Sequence, residues 1–226
     1  VNKGHSVDWF GVHYITRPDQ PGPFPVEKQE LYVIQDMEDW EDQLKFPDLD
    51  KVDWAAAAEK DTATWDREGR LSSCTLINGM LESLECFAGF ENALCYLITN
   101  EEEVKAFNQA VINYKIALIE RLHKYYKPDK IQLHDDYANQ TQLFMNIDTW
   151  RRLYKPYLKQ LVDAVHSMGM YYEHHSCGFV SPLYDDFVEL GVDCTNPVQF
   201  CNGPYELQKK YEDTLTLVGC FDRQGI

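Results

Sequence analysis

The sequence predicts an α/β protein of the TIM-type (β/α)8 barrel class, incomplete in this chain, on three observations. From about residue 71 onward, short apolar or aromatic segments alternate with longer segments of helical period, the pattern of parallel strands joined by right-handed crossovers. No Gly-x-Gly-x-x-Gly turn follows any of these segments, so a doubly wound dinucleotide sheet lacks its best sign. Polar residues instead follow nearly every strand, at His134-Asp135-Asp136, His174-His175-Ser176-Cys177, Asn196-Pro197-Val198-Gln199 and Asp222-Arg223, and strand ends are where a barrel gathers its chemistry. About five strands are readable against the eight that closure needs. The chain starts at Val1 and stops just after a strand, so it reads as an internal piece of a longer protein.

The elements follow in order. Residues 1–70 read as an irregular wrapping segment, with Pro18, Pro21, Pro23 and Pro25 clustered and Trp40, Trp54 and Trp65 set among acidic residues. Within it an Asp cap before Val52 to Glu59 predicts one short helix. Residues 71–226 read as the partial barrel. Its first strand is Leu71 to Ile77, and helices over Gly79 to Cys86 and Phe90 to Ile98 meet near Gly89. A long helix begins at an N-cap, Thr99 or Asn100, with Glu101 to Glu103 in its first turn. Val104, Phe107, Val111, Tyr114, Leu118 and Leu122 recur along it at helical spacing, and Lys127-Pro128 ends it. A strand at Lys130 to Leu133, a helix from Ile147 to Ser167 and a strand at Met170 to Tyr172 come next. The remainder repeats more tightly, as helix 182–190, strand 192–195, helix 204–211 and strand 215–218.

Composition limits the function. A formal net charge of −16 offers no basic footprint for nucleic acid. No apolar run approaches the ~20 residues of a membrane helix, and the N-terminus has no signal-like segment, so a cytoplasmic protein is expected. Seven cysteines at unpatterned spacing fit reduced thiols.

The strand ends supply the candidate site. His175 and Cys177 are two residues apart, so on an extended chain both face one side, and a nitrogen and a sulfur converging there form a metal-ligand pair suited to zinc. The residues leave the third ligand open. Period two also puts His134 and Asp136 on one face and Asp135 on the other, which makes His134 and Asp136 the pair for substrate contact or proton transfer and suits one aspartate to capping a following helix. His174 faces away from His175, as a structural or supporting residue. Asn196 and Gln199 are candidates for hydrogen bonds to substrate, and Asp222 for acid, base or ligand.

In series, Asn78-Gly79-Met80, Gly89-Phe90-Glu91-Asn92-Ala93, Leu133-His134-Asp135-Asp136-Tyr137-Ala138, His175-Ser176-Cys177-Gly178, Glu189-Leu190-Gly191-Val192-Asp193 and Asn196-Pro197-Val198-Gln199 resemble the uroporphyrinogen decarboxylase-like superfamily over roughly Leu71 to Ile226. The resemblance implies one of two chemistries. These are cofactor-free decarboxylation of uroporphyrinogen, and zinc-dependent methyl transfer between a small methylated substrate, such as a methyl ether, amine or thiol, and a corrinoid protein. His175-Ser176-Cys177 is similar to the His-x-Cys zinc motif of the methyltransferase branch, whose third ligand is a cysteine beyond this chain's end. The arginine-rich loop of the decarboxylases has no counterpart, because Arg17, Arg67, Arg70, Arg121, Arg151, Arg152 and Arg223 are scattered. Methyl transfer with zinc and a corrinoid partner is therefore the favoured expectation. Metal-free decarboxylation and a non-catalytic binding module are the alternatives.

Overall fold

A computed structural model describes residues 4–19, 22–222 and 225. Its centre is a five-stranded, all-parallel sheet of β4 (Ser73–Leu76), β5 (Lys130–His134), β6 (Tyr171–His175), β7 (Cys194–Val198) and β8 (Thr216–Gly219), ordered as in the sequence. Strands in sequential order with helices between them form part of a TIM-type barrel, as expected.

The helices lie on one face: α3 (Met80–Ala88), α4 (Phe90–Thr99), α5 (Glu101–Tyr126), α6 (Ile147–Leu153), α7 (Lys155–Ser167), α8 (Tyr184–Leu190) and α9 (Pro204–Tyr211). Alternation along the strands decides which residues meet them. Ile131, Leu133, Tyr172, His174 and Thr195 are buried beneath the helices, with Trp150, Tyr154, Leu161 and Phe187 among the packed side chains. The alternate residues Lys130, Gln132, His134, Glu173, His175 and Asn196 share the opposite, polar face. Among the described residues no helix is long and apolar enough to cross a membrane.

Three expectations are corrected. The wrapping segment is not wholly irregular, because β1 (His5–Val7), β2 (His13–Thr16) and β3 (Pro23–Pro25) form a small antiparallel sheet. Its two prolines are tolerated because β3 is an edge strand. Short helices α1 (Trp40–Gln43) and α2 (Trp54–Thr62) follow, the latter capped by Asp53, whose Oδ1 accepts from Ala56 N at 3.1 Å. The helix expected over 147–167 breaks at Tyr154, since Pro156 in the first turn of α7 lacks an N–H for the preceding turn and its ring blocks a continuous helix. Strand β6 runs on to His175, because its pairing with β5 continues residue by residue from Lys130↔Tyr171 to His134↔His175.

Candidate functional site

The register of β5 and β6 places His134 directly beside His175 at the C-terminal end of the sheet. Their imidazoles stack, centroids 3.7 Å apart and planes 21° from parallel. Asp136, two residues past His134, turns back to the same side, and its Oδ1 accepts from Cys177 N at 2.6 Å and lies 3.8 Å from His175 Nε2. One donor atom each from His134, Asp136 and His175 falls within 4.8 Å of the others. Cys177 Sγ is 3.6 Å from His175 Nε2, so the thiol borders the same group. The loop that brings it there requires Gly178, at φ +84°, where a Cβ would sit 2.4 Å from Asn139 O.

Both imidazoles are held through Nδ1. His134 Nδ1 lies 2.8 Å from Glu82 Oε2 on α3, and a carboxylate only accepts, so Nδ1 carries the proton. His175 Nδ1 lies 2.6 Å from Asn196 Oδ1, while Asn196 Nδ2 donates to Glu173, a buried carboxylate that also takes Lys130 and Gln132. That carboxylate fixes the amide's orientation, and with it the donor role of His175 Nδ1. Each Nε2 is thereby left for a ligand or a proton.

Two stacked imidazoles do not hold two protons cheaply. Burial, and then the neighbouring His134, bring His175 below its ordinary pKa. Burial also pulls His134 down, but the hydrogen bond and charge of Glu82, with Asp136 and Asp135, outweigh it and leave His134 above its usual value. Burial raises Asp136 as well, against the hydrogen bond from Cys177 N, with Glu82 adding to the rise.

Asp135 points the other way and builds the scaffold. Its carboxylate accepts from Met80 N at 2.9 Å, Leu81 N at 3.4 Å, Glu82 N at 3.0 Å and Tyr137 Oη at 2.7 Å, so it closes the N-terminus of α3 and aims Glu82 at His134. Only glycine fits at position 79, where a Cβ would lie 2.4 Å from Asp135. Full burial and the charge of Glu82 raise Asp135 to about 7 against the pull of these donors.

The remaining predicted residues fall in different places. Asn196 spends its amide on His175 and Glu173. Gln199 is buried, with Oε1 accepting from Gln140 Nε2 at 2.6 Å. Asp222 is exposed beyond β8 and accepts from Gly225 N at 2.9 Å. Arg223 lies outside the described residues. His174 is a core residue, with Nδ1 3.0 Å from Tyr172 Oη, and burial lowers it to about 3.

Sequence reasoning missed Glu82, Glu85 and Glu173. The signal for the first two was a pair of acids three apart inside the mostly apolar Met80–Ala88 helix. Glu85 has a buried Oε1 with no partner among the described residues, and burial, with Asp135 and Glu82 nearby, raises it to about 9. It therefore takes up a proton on folding anywhere between the ordinary carboxylate range and about 9, so stability falls as pH rises through that window. Glu85→Gln removes this uptake. It is expected to stabilise the fold by about 1–2 kcal/mol at pH 8 and to flatten the pH dependence, read by urea unfolding at pH 5 and pH 8.

Residues 72–224 match the profile of the family described as uroporphyrinogen decarboxylase (URO-D). No curated protein matches the chain. Among solved structures, a methyltransferase from Methanosarcina mazei superposes with a TM-score of 0.59 at 14% identity, covering 84% of this chain and 53% of its own. The chain thus spans about half the length of that protein.

Proposed function

The chain belongs to the uroporphyrinogen decarboxylase family, and from that premise we propose that it carries the centre of a zinc-assisted methyl transfer between a small methylated substrate and a corrinoid protein. The observation that carries this reading is the convergence of His134, Asp136 and His175, with each imidazole tied at Nδ1 so that Nε2 is available.

These donors fit a zinc ion. Two imidazoles, one carboxylate and a neighbouring thiol are the ligand types zinc takes, and the Glu82–His134 and Asn196–His175 bonds are the outer contacts such histidines require. The reading departs from the His175 and Cys177 pair in one respect: His134 and Asp136 join His175 as ligands, with Cys177 as the neighbouring fourth donor. When bound, zinc supplies a Lewis acid that polarises the heteroatom bearing the methyl group or holds a thiol as thiolate.

The protein's own groups do the rest. Glu82 and Asn196 keep both rings in one tautomer, and Cys177 N holds the Asp136 carboxylate in place. A metal held at His134 Nε2 would exclude a proton from that nitrogen, while Nδ1 would keep the proton that Glu82 accepts. The cluster's position at strand C-termini leaves it facing the end of the sheet where barrel enzymes receive substrate. That the Methanosarcina mazei neighbour is a methyltransferase supports methyl transfer as the reaction type.

The test is elemental analysis of the full-length protein beside an absorbance assay of cob(I)alamin methylation, before and after chelation, with uroporphyrinogen turnover measured in parallel. About one zinc per chain and methylation lost on chelation are expected. Metal-free protein that consumes uroporphyrinogen regardless of chelator would overturn the reading.

A further inference from the structure

His134 borders a second feature, a cavity of about 720 Å³ between the N-terminal segment, β4, α3 and α5. That volume is within the ~300–1,000 Å³ of small-molecule sites. Phe10, Tyr14, Phe46, Phe87 and Tyr114 supply the aromatic part of its lining. The rings already contact one another, with Phe10 centred 5.5 Å from Phe87 and 5.8 Å from Tyr114.

Lys115 lines the same cavity and is only 8% exposed. Its Nζ donates one hydrogen bond, to Ile77 O at 2.7 Å, and it forms no ion pair with a described residue. An ammonium has three N–H groups, so two lack an acceptor among the described residues and are left to whatever fills the cavity. Burial lowers Lys115 to about 8, so it still carries its charge at neutral pH. The Asp135 and Glu82 carboxylates favour its charged form from a distance but make no contact with it, so an aromatic-walled space with this ammonium in its wall is complementary to an anion on a flat ring.

We propose that this cavity binds a planar aromatic carboxylate, with the ring against Phe10, Phe46, Phe87 and Tyr114, the carboxylate on Lys115 and the far end directed past His134. The inference rests on the methyl-transfer reading only in treating that ligand as the substrate of the metal centre. Binding itself is independent of it.

The test is fluorescence titration of the full-length protein with 2-naphthoate and its neutral counterpart of the same shape, 2-naphthamide. Naphthoate is expected to bind at least ~10-fold more tightly, as a charged hydrogen bond of about 1.5–3 kcal/mol allows. Lys115→Met should erase that preference and Lys115→Arg should keep it, with circular dichroism to show that both variants are folded. Equal binding of the two probes, or binding of neither, to the wild-type protein would overturn the inference without recourse to a variant. So would a preference that survives in Lys115→Met. A repeat on chelated protein separates the two readings. Charge preference retained while methyl transfer fails leaves the anion site standing alone, whereas zinc and methyl transfer intact without charge preference removes the anion site alone.

Discussion

His175→Ala is expected to strip the metal from the protein and to lower methyl transfer by at least about 100-fold. Loss of an outer hydrogen-bond partner of a metal-bound histidine costs roughly 10–100-fold, and removing the ligand itself should exceed that. His175 is stacked on His134, 3.8 Å from Asp136 Oδ1 and 3.6 Å from Cys177 Sγ, so its deletion removes the donor that each of the others adjoins. Elemental analysis and kcat are the measurements, with circular dichroism to show that the sheet persists. Cys177→Ser is the informative companion. If His134, Asp136 and His175 form the primary set, the serine variant keeps most of its zinc. If the His-x-Cys pair alone holds the ion, it loses as much as His175→Ala. Zinc retained in His175→Ala would sink both assignments.

Asp135→Ala is expected to cost about 3–5 kcal/mol in urea unfolding, among the largest effects of a single polar change in this chain. A lost N-cap alone accounts for about 0.5–2 kcal/mol. The remainder comes from leaving the buried N–H groups of Met80, Leu81 and Glu82 and the Tyr137 hydroxyl without an acceptor. Asp135→Asn keeps one acceptor oxygen and should lose less than half as much. Because Asp135 also sets the position of Glu82, the alanine variant should weaken zinc binding although it touches none of the donors. A loss under about 1 kcal/mol would mean that α3 is held by its packing alone.

Much of this was legible in the sequence where a local period governed the outcome. Strand and helix alternation gave the sheet order, and period two placed His134 and Asp136 on one face with Asp135 on the other. The same rule set His174 against His175. Contacts between distant segments were not legible. Glu82 meets His134 across 52 residues, and nothing in Met80–Ala88 distinguishes an acid that faces the strand end from one that faces solvent. Glu173 alternates correctly for a strand, but its role follows from Lys130, Gln132 and Asn196 on the two flanking strands. The break at Tyr154 was in principle readable from Pro156, yet proline in a first turn and proline inside a helix look alike until the boundary is known. By sequence alone Lys115 is indistinguishable from the other polar positions of α5, because only its neighbours in space make it buried.

The pairing of β5 with β6 has a consequence for how this centre can vary. The separation of the two imidazoles is indexed by the peptide ladder that aligns residues 130–134 with 171–175, so it repeats with the fidelity of backbone hydrogen bonding. Insertions in the segments connecting these strands would leave that spacing untouched, while a slip of either strand by one residue would turn its own ring into the helix-covered layer and away from the other. The surrounding walls are thus free to vary, and the geometry of the proposed centre changes only by replacement of individual side chains.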